Sequence, residues 1–391
     1  MSSTLDSDQA LLAAVRQIAT EVAAPNADDV DRNARFPAET IDALRGQRAL
    51  SAFLPTGLGG DDASFATIAH CCLELGRQCG ASAMVFAMHQ IQLITIARHL
   101  EPDSWFEQYL RTLAEEQRLI ASVTSEVGTG GDMGRSIAAL TPADDGSVSF
   151  EKQAPTVSYA AYADDLLTTV RRSPDAEPGD QRVVLSRKDQ TELEQTGTWD
   201  VLGMRGTCSP AYTVRATVPG EQVLSTTFAR VAAESMVPIS HILWSHLWLG
   251  IAEDAFDRAR AFVRAAAKRT PGQTPPAAYR LSHVMVELSL LRAEVDSALK
   301  EFIAASAEPG RQRLTTMAAV LRFNNLKIAA SEHAADICRG ALDVSGIMGF
   351  KNDTPFSVGR HLRDTMSAEL MVANTRIHET NAGLLLIAKE V

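Results

Sequence analysis

Cysteine is scarce and unpatterned in this sequence. The 391 residues include five cysteines, an odd number, and none of them forms a C-x-x-C pair or a metal-ligand spacing. A disulfide framework and a zinc site are therefore not expected, and no metal is predicted. Free thiols buried in a reducing cytoplasm are the expected state of Cys71, Cys72, Cys79, Cys208 and Cys338.

Long apolar runs and basic runs are also missing. The longest apolar stretches, such as 382–388, fall far short of the roughly 20 residues that a membrane span needs. The first residues lack the basic head and the continuous apolar core of a secretion signal. A formal net charge of -11 disfavours nucleic acid and anionic membranes as partners. We expect a cytoplasmic protein without a membrane or nucleic-acid partner.

The overall composition is that of an ordinary globular protein, and the local sequence pattern changes from helical to β-prone and back along the chain. Hydrophobic residues make up 46% of it and charged residues 22%, and its length favours two or three domains. We predict an α+β fold with an N-terminal helical domain over 1–120, a middle antiparallel β-barrel-like domain over 121–227, and a C-terminal four-helix bundle over 228–391.

Local patterns support each of these domains. In the first, apolar residues such as Leu11, Val15 and Ile18 recur at threes and fours, which places them on one helix face. The proline-rich linker 269–276 cannot be helical. Short β-prone runs between turn residues predict strands at 119–123, 148–150, 166–170, 182–185 and 212–219. Periodic segments predict C-terminal helices at 242–267, 277–305, 311–342 and 358–388.

A glycine-rich stretch at 124–136 follows the first predicted strand. Because glycine has no Cβ, backbone N–H groups in such a loop can approach a phosphate or an electron-rich ring closely. The stretch lacks the Gly-Lys-Ser/Thr of a P-loop, and no helix with dinucleotide spacing follows it. A plain surface turn explains the glycines alone equally well.

Four segments, in order along the chain, resemble the acyl-CoA dehydrogenase family. Residues 124–132 resemble its Thr-Glu-Pro-x-Ala-Gly-Ser-Asp loop, and Phe36-Pro37 with 55–60 resembles its N-terminal signature. Residues 203–207 read Gly-Met-Arg-Gly-Thr, as in the family's β domain, and 341–364 resemble its C-terminal segment ending in Arg-Asp. The resemblance covers almost the whole chain and implies a flavoprotein that binds FAD, with FMN as the less favoured alternative.

The resemblance also implies which residues contact the flavin. Thr124 and Ser125 would donate hydrogen bonds to the pyrimidine end of the ring, where negative charge gathers as the ring accepts a hydride. Gly130 and Gly131 would lie beside the pyrophosphate. One hydroxyl contact is missing there, because the family usually has serine at the second of these positions.

Two further hydroxyl residues fall in the segment where the family has Trp-Ile-Thr. Ser158 keeps a hydroxyl for the flavin, whereas Thr156 replaces the aromatic side chain that shields the ring. Ordinary β-strand surface is the alternative interpretation of both residues.

A second subunit would complete the cofactor site. The family's arginine that reaches the neighbour's FAD pyrophosphate falls at Ala266, and either Arg264 or Arg269 can substitute for it. As isolated arginines, both are also typical of solvated helix surfaces. Asp343 and Gly346 fall where the family uses Gln-x-x-Gly-Gly to hold the neighbour's cofactor. The resemblance therefore implies a homodimer or homotetramer.

The family's catalytic base is missing. Its glutamate falls at Val372, which cannot accept a proton, and the position that some relatives use instead falls at Ser240. Glu369, expected one helical turn before Val372, is a substitute candidate, although a glutamate there is commonly a solvated helix residue. His241 is a second candidate, as base or as polar substrate contact, or else a satisfied core residue. Asn374 falls where the family has a threonine near the flavin and is a cofactor candidate.

Three functions follow from the resemblance. The leading hypothesis is a flavin oxidoreductase that desaturates an acyl thioester, carried by CoA or a carrier protein, with hydride transfer to flavin N5 and a noncanonical base. Its electron acceptor would be an electron-transfer flavoprotein or oxygen. The alternatives are a flavin-dependent monooxygenase of the same fold and a catalytically silent paralogue.

Overall fold

In a computed structural model, which describes residues 2–307 and 310–388, a helical part leads into two β-sheets and then into a second helical part. This order is the one that the sequence predicts. A π-helical turn at Ala19–Ala23 joins the first two helices. The helices of the first part are α1 (Ser2–Ile18), α2 (Ala24–Arg32), α3 (Ala38–Gly46), α4 (Phe65–Gln78), α5 (Gly80–Arg98) and α6 (Trp105–Glu116).

The α5 helix is the central element of the first part. By length and composition it could cross a membrane, but 89% of its most apolar window is buried inside the protein, as in a core helix. His89 on α5 accepts a hydrogen bond from the backbone N–H of Ile120 at 3.1 Å and donates its other ring N–H to the carbonyl of Leu50 at 2.9 Å. This histidine therefore ties the core helix to the start of the β region.

The middle region contains seven strands. The strand predicted from alternation at 212–219 has those bounds, and the other predicted runs lie in strands or overlap them. Two short strands, the second and the sixth, were not predicted. The strands are β1 (Ile120–Val123), β2 (Thr141–Pro142), β3 (Ser147–Ala154), β4 (Asp165–Arg171), β5 (Gln181–Arg187), β6 (Thr191–Gln195) and β7 (Tyr212–Pro219).

The barrel-like arrangement predicted for these strands is wrong. They pair in the orders β1-β4-β5 and β2-β3-β7-β6, and neither sheet closes on itself within the described ranges. The pairing is not antiparallel throughout either, because β1 runs parallel to β4 with Ile120 opposite Asp165. Residues 124–164 connect these two strands as a crossover, which lets both run in the same direction.

The second helical part contains α7 (Phe228–Val231), α8 (Val237–Arg269), α9 (Ala277–Ser306), α10 (Met317–Ser345), α11 (Ile347–Phe350), α12 (Gly359–Met366) and α13 (Asn374–Leu385). It is a bundle in which α10 packs against five of the other helices. The α8, α9 and α10 helices pack on one another, and α13 packs on α10. The predicted non-helical linker separates α8 from α9.

The continuous helix predicted over 358–388 is wrong, because the turn 367–373 separates α12 from α13. Val372 in this turn has a φ of 49°, a left-handed conformation that is an outlier for a β-branched residue. The helix was predicted as continuous because the helical spacing of apolar residues in the sequence does not stop at this turn. The side chain of Asn374, however, is hydrogen-bonded to Lys327 and Ser331 of α10, and these contacts fix where α13 begins.

The two helical parts meet through a glycine contact between α4 and α8. A Cβ added to Gly76 would lie 2.4 Å from the carbonyl oxygen of Leu247, and one added to Gly250 would lie 2.2 Å from that of Leu73. The two backbones are therefore too close for any side chain at these positions. One buried apolar core runs from the first helix through both sheets into the bundle, while the predicted domain boundaries at 120 and 227 stay predictions.

Candidate functional site

A cavity of about 930 Å³ lies where the glycine-rich loop, α5, the start of α8 and the turn 367–373 converge. Most of its wall area is apolar, as is typical of small-molecule sites, and hydroxyl, amide and charged side chains also line it. Six of its large apolar residues come from three different segments of the chain: Met84, Met88, Ile91, Met236, Trp244 and Leu370.

The cavity brings together nine of the residues predicted for the site. Six line the wall formed by the β region, and three come from the helical bundle. The first set is Thr124, Ser125, Gly130, Gly131, Thr156 and Ser158, and the second is His241, Glu369 and Val372. Their predicted roles toward a flavin and a substrate stay predictions.

Four predicted residues lie elsewhere: Asn374, which is described below, and three residues predicted to face a partner subunit. Arg264 lines a separate surface pocket of about 400 Å³ near the end of α8. Asp343 and Gly346 are exposed at the end of α10. Because all three are predicted to hold the cofactor of a partner subunit, positions outside this chain's own cavity do not test that role.

The glycine-rich loop takes a conformation that requires its glycines. Gly128, Gly130 and Gly131 have φ values of 89°, 63° and 83°, which residues with a Cβ rarely adopt. The side chain of Ser125 donates a hydrogen bond of 2.7 Å to the carbonyl of Thr156, so the loop is tied to the other predicted flavin segment.

A buried carboxylate, which the sequence analysis did not identify, holds the base of this loop. Glu126 is 6% exposed and accepts hydrogen bonds from the Ser136 hydroxyl at 2.6 Å and from the backbone N–H groups of Ile137 and Ala138 at 3.1 and 2.6 Å. These bonds satisfy the carboxylate and close the glycine-rich segment into a compact loop.

Lys152 lies beneath the same loop and is 1% exposed. Its ammonium is 3.6 Å from the Glu126 carboxylate and donates to the Thr169 carbonyl at 2.6 Å. Burial lowers the pKa of Lys152 to about 8, and the neighbouring Glu126 works against that shift. The loop thus rests on a buried ion pair whose partners are 26 positions apart, a spacing that gives no local sequence signal.

The Gly-Met-Arg-Gly-Thr segment meets the Arg-Asp segment directly. The carboxylate of Asp364 accepts a 2.7 Å hydrogen bond from the backbone N–H of Met204, and burial raises the pKa of Asp364 to about 6. A Cβ added to Gly203 would lie 1.9 Å from the carbonyl oxygen of Arg363. Two stretches that resemble the family are therefore in contact, which explains their residue types by packing rather than by chemistry.

Hydroxyl groups continue from this segment towards the cavity. The Ser209 hydroxyl donates to Ser158 at 2.9 Å and lies 2.8 Å from the Thr207 hydroxyl. All three residues line the cavity. Thr207 and Ser209 were not predicted as site residues, although Thr207 ends the Gly-Met-Arg-Gly-Thr segment that resembles the family.

Arg376 was not predicted as a site residue. It lines the cavity from the first turn of α13, facing the loop. Its Nη2 atom lies 3.0 Å from where a Cβ on Gly130 would be, and its Nε lies 3.5 Å from the corresponding point on Gly131. Only the three-dimensional structure brings this side chain to glycines about 245 positions earlier.

His241 lines the cavity but is 2% exposed. Its Nδ1–H donates to the carbonyl of Phe323 at 3.0 Å, which leaves Nε2 as an acceptor. Burial, together with the nearby charge of Lys327, lowers the pKa of His241 to about 3. Such a weak base is poorly matched to proton abstraction at neutral pH, so of its two predicted roles the geometry favours the polar contact.

Glu369 and Val372 both line the cavity, but they are not on one helical face as predicted. They lie in the turn 367–373, where no helix relates them. Glu369 is exposed at the cavity mouth, and Val372 is 39% exposed. The position expected for the base therefore contributes an apolar side chain to the wall.

Asn374, predicted as a flavin contact, is buried in the helical bundle and does not line the cavity. Its amide oxygen accepts a hydrogen bond of 2.6 Å from Lys327, and its amide nitrogen donates to Ser331 and Glu332 at 3.0 and 3.2 Å. A side chain whose donor and acceptor are both used in this way is unavailable to a cofactor.

No cysteine is among the described residues that line the cavity. All five cysteines are free, four of them buried and Cys208 half-buried. Among the residues that the structure describes, no group of three His, Cys, Asp or Glu side chains could hold a metal ion.

Comparison with known proteins places both helical parts in one family. The N-terminal domain of acyl-CoA dehydrogenases matches residues 6–117, and the C-terminal domain matches residues 232–379. A probable FMNH2-dependent monooxygenase, SfnC of Pseudomonas putida, is 26% identical over 94% of this chain and 93% of its own.

A second relative has a different activity. Cyclohexane-1-carbonyl-CoA dehydrogenase of Geobacter metallireducens is 25% identical over 100% of this chain and 99% of its own. Among solved structures, FMN-bound TdsC from Paenibacillus sp. A11-2 superposes with a TM-score of 0.82 at 20% identity, covering 96% of this chain and 97% of its own. The overall fold is therefore shared, while the two relatives differ in reaction.

Proposed function

Since the chain belongs to the acyl-CoA dehydrogenase family of flavin oxidoreductases, we propose that it is a flavin-dependent monooxygenase. It takes reduced flavin and O₂ and oxygenates an apolar organic substrate in the cavity. The reaction balances as RH, O₂ and reduced flavin giving ROH, water and oxidised flavin. The likeness to the monooxygenase of Pseudomonas putida supports this choice.

The observation that carries the proposal is the wall around Val372. Desaturation of an acyl thioester requires a base within hydrogen-bond reach of the α-proton. Among the described residues, only Asp132 and Glu369 bring carboxylates to the cavity. Asp132 accepts a 2.9 Å hydrogen bond from Gly134 within its own loop, and Glu369 is exposed at the mouth. Oxygenation by reduced flavin and O₂ needs no such base.

The residues of the β wall fit a flavin. Thr124 supplies a hydroxyl donor, while Ser125, whose proton goes to the Thr156 carbonyl, supplies only an acceptor. Gly130 and Gly131 supply a backbone without side chains, and Arg376 supplies a positive charge. Bound there, a flavin would supply the electrons that activate O₂. FAD is the cofactor that the family implies, and FMN, which TdsC binds, is the alternative.

The remaining walls would bind and shield the substrate. The side chains of Met84, Met88 and Trp244 exclude water, which protects an oxygenating site from side reactions. His241, kept neutral by its low pKa, offers Nε2 as an acceptor for a hydroxyl or N–H group on the substrate.

Oxygen labelling tests the proposal. The protein is mixed with reduced flavin, oxygen-18 gas and a panel of apolar aromatic probes that begins with indole. We expect one labelled oxygen atom in the product, read by mass spectrometry. Anaerobic bleaching of oxidised flavin by acyl thioesters, without labelled product, would overturn it.

Dehydrogenation of an acyl thioester is the second candidate, because Glu369 does line the cavity. The likeness to cyclohexane-1-carbonyl-CoA dehydrogenase supports it. In this case Glu369→Gln should abolish thioester-driven bleaching while flavin stays bound. Glu379→Gln, an exposed change on α13, is the matched control and should bleach normally. Undiminished bleaching by Glu369→Gln would remove Glu369 as the base.

Several predicted properties are part of the proposal. If neither oxygenation nor bleaching occurs, the silent-paralogue hypothesis gains support. A homodimer or homotetramer, with Arg264, Asp343 and Gly346 facing a partner's cofactor, follows from the family resemblance. A cytoplasmic location has the same basis. For the dehydrogenation candidate, so does an electron-transfer flavoprotein or oxygen as electron acceptor.

A further inference from the structure

We propose that Arg376, together with the backbone N–H groups of Gly130 and Gly131, binds a phosphate group of the flavin nucleotide. This inference rests on the proposed flavin site and adds a residue that fixes which flavins the site accepts. The shared chemistry is a flavin phosphate, either the monoester of FMN or the pyrophosphate of FAD.

The first support is geometric. The guanidinium lies against the two glycines, with Nη2 and Nε at 3.0 and 3.5 Å from their virtual Cβ positions. Alanine at Gly130 would therefore crowd this guanidinium. The two glycines have φ values of 63° and 83°, and successive N–H groups in such turns form concavities that bind anions.

The second support is the charge of the site. Three arginines line the cavity, and two of them are paired with carboxylates: Arg339 with Asp336 at 2.9 Å and Arg363 with Asp31. No described residue forms an ion pair or a hydrogen bond with the guanidinium of Arg376. It is thus the cavity arginine whose charge is left for a ligand.

The position of Arg376 on its helix strengthens the argument. It is the third residue of α13, where the helix macrodipole disfavours a cation. An anion placed between this turn and the loop would offset that repulsion. The planar guanidinium presents parallel N–H donors, which match two phosphate oxygens better than they match a single neutral acceptor.

Flavin binding without turnover tests the inference. The flavin-free protein is titrated with riboflavin, FMN and FAD, and binding is followed by the quenching of flavin fluorescence. Riboflavin has the same ring but no phosphate. In the wild type we expect FMN, FAD or both to bind at least about tenfold more tightly than riboflavin. The tighter of FMN and FAD identifies which phosphate the site takes.

The variants isolate Arg376. Arg376→Gln should reduce the preference for phosphate to about threefold or less and leave riboflavin affinity unchanged, while Arg376→Lys, which keeps the charge but loses the fork, should give an intermediate preference. Arg135→Gln removes the same charge from an exposed residue of the same loop that does not line the cavity, and should keep the full preference. Circular dichroism checks that each variant is folded.

The outcomes separate two kinds of failure. Equal affinity for all three flavins in the wild type, or an undiminished phosphate preference in folded Arg376→Gln or Arg376→Lys, overturns the role of Arg376 and leaves the flavin site standing. If none of the three flavins binds, the flavin site itself falls, and this inference falls with it.

Discussion

The two sides of the cavity each rest on a buried lysine, and the two lysines are held differently. Lys152 lies under the glycine-rich loop and Lys327 under the turn 367–373, at 1% and 0% exposure. Burial lowers the pKa of each to about 8. Lys152 faces the buried carboxylate of Glu126, whereas Lys327 donates to the neutral amide of Asn374.

Under the proposed function, this difference in how the lysines are held separates the wall that binds the cofactor from the wall that faces the substrate. The carboxylate of Glu126 binds both Lys152 and the backbone of the loop, so the loop cannot change shape without breaking a buried ion pair. Among the described residues, no carboxylate of the turn 367–373 forms an ion pair with Lys327. The position where the family resemblance expects the catalytic base is occupied by Val372. We interpret the loop as retained for flavin binding and the turn as altered for a different reaction.

The largest expected effect comes from breaking the loop side. Lys152→Met should lower the free energy of unfolding by about 3 kcal/mol, because it leaves the buried carboxylate of Glu126 without its counter-charge. Flavin binding should weaken as the loop loses its support. Urea unfolding and flavin titration measure the two effects.

The matched control for this change is Lys351→Met. Lys351 is 51% exposed and pairs with an exposed Asp353 at 3.4 Å, so its loss should leave stability and flavin binding nearly unchanged. Equal effects of the two substitutions would contradict the structural role given to Lys152.

A base installed on the reaction side sharpens the comparison. Val372→Glu places a carboxylate where the family resemblance expects one, and general base catalysis commonly contributes about 100-fold or more. We therefore expect thioester-driven flavin bleaching at least about 100-fold faster than in Val372→Gln, which has the same size but no base. Equal rates would show that the turn lacks more than a carboxylate.

The smallest effect is expected for Lys327→Met. It removes a buried ammonium but leaves the Asn374 oxygen with a weaker donor, Ser331 at 3.3 Å, so stability at pH 7 should change by less than about 1 kcal/mol.

The pH dependence of stability tests the lowered pKa of Lys327. The folded pKa of about 8 lies below the usual 10.5, so between these values the unfolded state binds more protons and wild-type stability should rise with pH. Lys327→Met should lack this contribution, and parallel pH profiles of the two proteins would contradict the assignment.

Much of the fold followed from local patterns, and the errors have tertiary causes. The alternation of inward and outward residues at 212–219 predicted the bounds of β7 correctly. The sixth strand was missed because its residues, 191–195, are largely charged or polar and exposed, so no apolar alternation marks them. The broken helix at 367–373 was missed because periodicity cannot report contacts such as that of Asn374 with Lys327. Neither the sheet order nor the parallel pairing of β1 with β4 has a local signature.

The candidate site also contains residues that a local sequence pattern predicts and residues that only tertiary contacts reveal. Thr124, Ser125 and the loop glycines were predictable because they are adjacent in sequence and carry the family resemblance. Lys152 and Arg376 were not, since each acts on the loop from a distant segment. The sequence also could not reveal that Asn374 is used inside the bundle, because only its distant partners on α10 show this.

The glycine contact between α4 and α8 has a consequence for the width of the cavity. Two helices that touch backbone to backbone at Gly76 and Gly250 cannot slide or part without opening the core. The spacing of the two helical parts is therefore fixed along this contact. Both parts contribute walls to the cavity, Met88 from α5 and Trp244 from α8, so we expect the contact to keep the width of the cavity constant.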